Sequence, residues 1–128
     1  MRRALVVHHD IDLADQEADS LRRRGYEVRQ CSGPTANRCP ILAGNPCELA
    51  DEADVLVYDA FASGDTEGAR RLIEGLRRLH PDVPVVLTTP GLELEWMDEA
   101  DLGRVVALSG QPTGERLDQA ITQALGAA

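Results

Sequence analysis

Residues 54–61 read DVLVYDAF, a continuous apolar run over 55–58 that ends on an acid, Asp59. The run is rich in valine and does not alternate with polar residues. That is the pattern of a strand covered on both faces, as strands of a parallel sheet are. Three further runs share it, over 4–7, 85–87 and 105–108, and a fifth, over 26–29, alternates as an edge strand does. Helical periodicity fills the intervals. Residues 13–24 place Leu13, Ala14, Ala18 and Leu21 on one face, with Asp10 or Asp12 as cap and Gly25 as stop. Residues 66–79 repeat the spacing with Ala69, Leu72, Ile73, Leu76 and Leu79. Residues 113–125 do so with Leu117, Ala120, Ile121, Ala124 and Leu125.

Strands alternating with helices imply parallel pairing through right-handed crossovers, with helices on both faces of the sheet. Five strands in 128 residues therefore predict a three-layer α/β/α, flavodoxin-like fold with strand order 2-1-3-4-5. The expected organisation is a single domain over 1–128 with an irregular cysteine-containing insert at about 31–54. That insert, broken by Gly33, Pro34, Pro40, Gly44 and Pro46, reads as a long loop with one short turn of helix. Residues 90–103 are also irregular, with a short helix around 94–100.

The chain carries 22 acidic against 13 basic residues, and every basic one is arginine. A formal charge of -9 opposes sequence-independent attraction to nucleic acid or an anionic membrane. No apolar run approaches a bilayer span, and the acid at Asp10 comes too early for a signal peptide. The expected location is the cytoplasm, where an odd number of cysteines, three, reads as thiols or metal ligands rather than a disulfide framework.

In a sheet of this order, chemistry gathers at the carboxyl ends of the strands. That edge should carry His8, His9, Asp10, Cys31, Asp59, Thr88, Thr89, Ser109 and Gln111. In order and spacing, the stretches ALVVHHD, DVLVYDAF, DVPVVLTTPG and VVALSGQP resemble the four strand-end motifs of response-regulator receiver domains. In that family an acidic pair after the first strand helps hold Mg²⁺, and an aspartate ending the third accepts phosphate. A Ser or Thr after the fourth and a Lys-Pro after the fifth read the phosphoryl group. The resemblance puts Asp59 at the phospho-acceptor position and Thr89 at the hydroxyl position.

The acidic pair instead falls on His8 and His9, with Asp10 one step on, and the lysine position falls on Gln111 before Pro112. Imidazole in place of carboxylate disfavours Mg²⁺, a hard ion that prefers oxygen. Gln111 donates hydrogen bonds but brings no charge. Since phosphoryl transfer depends on positioning and charge neutralisation, these departures predict a degenerate receiver, a pseudo-receiver, with Asp59 inactive as a phospho-acceptor. The two histidines alternate in direction, so one of them should point into the helix layer as a structural residue. Asp59 itself could instead accept backbone N–H bonds in the following turn.

Cys31, Cys39 and Cys47 recur at an interval of eight, outside anything the receiver pattern requires. They support a thiol-redox or zinc-sensing alternative, although paired C-x₂₋₄-C spacing is absent. A disulfide between Cys39 and Cys47 would close the loop PILAGNP, and cysteines packed as small apolar side chains are the plainer reading. There is no nucleotide-binding glycine motif, no phosphate loop matching Cys31, and no legible Ser/His/Asp arrangement. A small hydrolase has only Asp10 and Asp59 in its favour. The leading expectation is a non-enzymatic receiver-like regulatory or protein-interaction module needing no cofactor and working through a protein partner or a homodimer. Leu92, Leu94, Trp96 and Met97 are its candidate apolar patch. A phosphorylatable regulator switched at Asp59 is the further alternative.

Overall fold

The computed structural model describes residues 2–8, 10–31, 41, 44–60, 66–89, 105–109 and 112–126. Among these, five strands and four helices follow one another along the chain. They are β1 (Arg3–Val7), α1 (Ile11–Arg23), β2 (Glu27–Cys31), α2 (Glu48–Glu52), β3 (Val55–Asp59), α3 (Thr66–Leu79), β4 (Val85–Thr89), β5 (Val105–Ser109) and α4 (Gly114–Gly126). All strands pair in parallel in the order β2-β1-β3-β4-β5, the arrangement the alternating pattern predicts.

Each strand sends alternate side chains to opposite faces, so the continuous apolar runs feed two cores. On one face Ala4, Val6, Val55, Val57 and Val86 pack against Ala14, Ala18 and Leu21 of α1 and Leu117, Ile121 and Ala124 of α4. On the other, Leu5, Val7, Leu56, Tyr58 and Leu87 pack against Leu72, Ile73 and Leu76 of α3 and Ala50 of α2. Ile41, within the insert, joins this second core so closely that a Cβ on Gly75 would lie 2.7 Å from its Cγ2. Close approach, rather than a turn, is what requires glycine there.

Three expectations change. The alternating edge strand runs over Glu27–Cys31 and not 26–29, because Tyr26 still turns off α1, donating its N–H to Leu21 O. Sheet pairing starts when the Glu27 N–H reaches Arg2 O and lasts until Cys31 O accepts from His8 N–H. Cys31 therefore ends a strand instead of opening a loop. The buried face of α1 consists of Ala14, Glu17, Ala18 and Leu21, whereas Leu13 is 45% exposed. Leu13 lies about one residue's rotation from the stripe through 14, 18 and 21, and an acid occupies the place the stripe leaves for a fourth member. The short helix expected in the insert is α2. The one expected around 94–100, with Leu92, Leu94, Trp96 and Met97, lies outside the described residues.

Candidate functional site at the carboxyl edge

His8 follows β1 at the point where Val7 pairs with Tyr58, so it sits beside Asp59 at the end of β3. It shares the face of Ala4 and Val6, which puts its ring against α1, and it is 6% exposed. Its Nδ1 accepts the Asp10 backbone N–H at 3.0 Å. An imidazole that accepts through Nδ1 carries its hydrogen on Nε2. That Nε2–H faces two carboxylates, Glu17 Oε2 at 3.7 Å and Asp59 Oδ1 at 3.8 Å.

Glu17 is buried at 4% exposure, and its Oε2 has no hydrogen-bond partner among the described residues. Burial first, and the neighbouring Asp59 carboxylate second, push its carboxyl up from 4.5 to about 7. Reading the edge from strand ends alone missed this residue, because α1 supplies it. The available signal was a glutamate in the apolar stripe of an otherwise acidic-outward helix.

Asp10 has a different task. Its Oδ1 accepts the N–H groups of Asp12 and Leu13 at 3.0 and 3.2 Å, which makes it the N-cap of α1. Thr89 is buried at the end of β4, beside Ser109 of β5. Thr88, in register with Asp59, directs its hydroxyl towards Tyr58 O at 3.5 Å, and its carbonyl accepts the Ala60 N–H. His9 and Gln111 lie outside the described residues.

Mg²⁺ asks for oxygen lone pairs around one point. Here Asp10 spends a carboxylate oxygen on the helix cap, and His8 presents an N–H where a cation needs a lone pair. The described residues do not fit Mg²⁺. They make instead a buried proton-rich cluster of one imidazole and two carboxylates.

The cysteine segment starts at this same edge, where Cys31 ends β2 beside His8, and leads to a second locus at Cys47 and His80. Cys31 and Cys47 are half-buried free thiols packed against the α3-side core. With Cys47 a free thiol, the alternative of a disulfide between Cys39 and Cys47 is not realised, and the packing of Cys31 and Cys47 agrees with the plainer reading of small apolar side chains. Cys47 is instead held as N-cap of α2, its N–H donated to His80 Nε2 at 3.0 Å. Cys39 lies outside the described residues. Among those described, no group of three or more His, Cys, Asp or Glu side chains is placed to hold a metal ion.

A doubly wound five-stranded sheet with an aspartate ending its central strand defines a class, and the comparisons agree with it. The chain has the fold of response-regulator receiver domains. It superposes on a receiver domain protein from Clostridium thermocellum with a TM-score of 0.71 at 19% identity, over 98% of this chain and 94% of that one. A CheY-like receiver domain protein from Methanospirillum hungatei gives a TM-score of 0.73 at 20% identity, covering 98% and 94%. The receiver domain of the hybrid histidine kinase CckA gives 0.67 at 24% identity, covering 96% and 98%. No family model and no curated protein sequence matches the chain.

Proposed function

We propose that this chain is a receiver-like signalling module that acts through protein contacts and is not switched by Mg²⁺-dependent phosphorylation of Asp59. The observation that carries the reading is the His8 ring. It stands where the receiver resemblance puts a metal-holding acid, fixed by the Asp10 N–H, with its own N–H turned towards Asp59. Attack of Asp59 on a phosphodonor would bring further negative charge into a site that already holds the Glu17 carboxyl beside it. A neutral imidazole offsets little of it. Retention of the whole fold alongside this substitution supports a module whose partner reads its surface, and the chemistry points to a non-enzymatic role. A cytoplasmic setting and either homodimerisation or a separate partner protein belong to the same proposal. No helix among the described residues is long and apolar enough to cross a membrane.

The test is incubation with acetyl phosphate and Mg²⁺ followed by intact-mass measurement. The expected result is unmodified protein. A phosphoryl adduct that disappears in Asp59→Asn overturns the reading.

A further inference from the structure

Among the described residues Glu17 is the one buried acid, and the phosphorylation-independent reading gives it no task beyond its charge. We propose that Glu17, His8 and Asp59 form a proton-operated latch, in which a proton on Glu17 keeps the first turns of α1 seated on the carboxyl edge of the sheet and its loss unseats them. The latch goes beyond the function proposed above and needs no phosphodonor.

Geometry supplies the coupling. Without the proton, carboxylates from α1 and β3 converge on His8 Nε2, where burial of Glu17 and His8 leaves little water to screen them. Two movements relieve the repulsion. Glu17 can swing outward, which carries α1 with it. Alternatively His8 can take up a second proton on Nδ1, which costs it the Asp10 N–H that it accepts. Asp10 is the N-cap of α1, so both routes loosen the same turns. Those turns carry Ile11 and Leu13, 67% and 45% exposed, so unseating them moves an exposed apolar pair.

Among the described residues, the groups facing Glu17 come from three elements. β1 leads to His8, and β3 contributes Asp59. The groove between α1 and the start of α4 that Glu17 lines also holds Asp19 and Arg23 of α1, and on the α4 side the uncharged Pro112, Thr113 and Gly114. Asp118 of α4 is engaged elsewhere, with Tyr26 and Arg24. β2 turns Val28 to this core and holds Glu27 and Arg29 exposed.

A carboxyl at about 7 in the fold and 4.5 in the unfolded chain gives the sign. Between those values the folded protein binds a proton that the unfolded chain has lost, so stability falls as pH rises through the window and levels off above it. The seated state therefore belongs to the acid side of neutrality.

The experiment is an NMR titration of protein carrying ¹³C-labelled glutamate, with amide exchange followed in parallel and corrected for its intrinsic pH dependence. Glu17 Cδ is expected to titrate near 7, and Ala14 and Ala18 amide protection to fall on the order of tenfold across the same midpoint. In Glu17→Gln the step in protection disappears, and in Asp59→Asn the Glu17 midpoint drops. Titration of Glu17 in the ordinary carboxylate range overturns the latch. So does a step in α1 protection that survives in Glu17→Gln. The titration of the unmodified protein decides by itself if either variant does not fold.

Discussion

His8 and His80 do the same job at opposite ends of the strands, in different electrostatic company. Each ring is buried, and each accepts the backbone N–H that begins a helix, Asp10 before α1 and Cys47 before α2. They use opposite nitrogens, Nδ1 in His8 and Nε2 in His80, which sets opposite tautomers. The remaining nitrogen of His80 meets Asp51 at 4.0 Å, a carboxylate that is 81% exposed and screened by solvent. That of His8 meets Glu17 and Asp59, whose side chains are 4% and 12% exposed. The same hydrogen bond is thus a plain anchor at one end of the sheet and part of a buried acid cluster at the other. What separates a structural histidine from a functional candidate here is the burial of the acids beside it, not the histidine.

This contrast can be broken by substitution. His8→Ala leaves the Asp10 N–H without its acceptor, opens a cavity and removes an N–H that faces two carboxylates. The expected cost is about 3 kcal/mol in urea unfolding near neutral pH. His80→Ala loses one acceptor and some packing but faces only a solvated acid, so about 2 kcal/mol is expected, with protection lost at α2 and kept at α1. Equal costs for the two variants would show that the acids add nothing to the His8 site. Asp10→Ala removes the cap while leaving the His8 ring in place. It should cost about 1 kcal/mol and lower amide protection at the start of α1, with α2 unchanged. An effect of Asp10→Ala as large as that of His8→Ala would mean that the helix cap, rather than the cluster, dominates this edge.

The sheet order was legible because five apolar runs separated by periodic helices admit few arrangements once crossovers must be right-handed. The places of Asp59 at the end of β3 and of His8 just after β1 could likewise be read from position along the chain. Two features resisted for a physical reason. Leu13 was expected to be buried by its chemistry, yet the phase of the helix is set by the majority of its stripe, and Ala14, Ala18 and Leu21 outvote it. Glu17 was passed over because a glutamate on a helix is normally solvated, and only a facing imidazole and a nearby Asp59 make its burial chemically meaningful.

The cysteines show the same division. Their equal spacing suggested a unit, but Cys31 is taken into β2 and Cys47 into the start of α2, each by backbone hydrogen bonds that spacing does not encode. By itself the amino-acid sequence determined the layers, the strand order and the edge where chemistry would be sought, because apolar periodicity and chain connectivity are local or combinatorial properties. Only the tertiary structure decided that His8 turns towards α1, that Glu17 rises to meet it, and that His80 closes on Cys47. Those depend on which side chains distant in sequence share one dry space, and on how that space prices a charge.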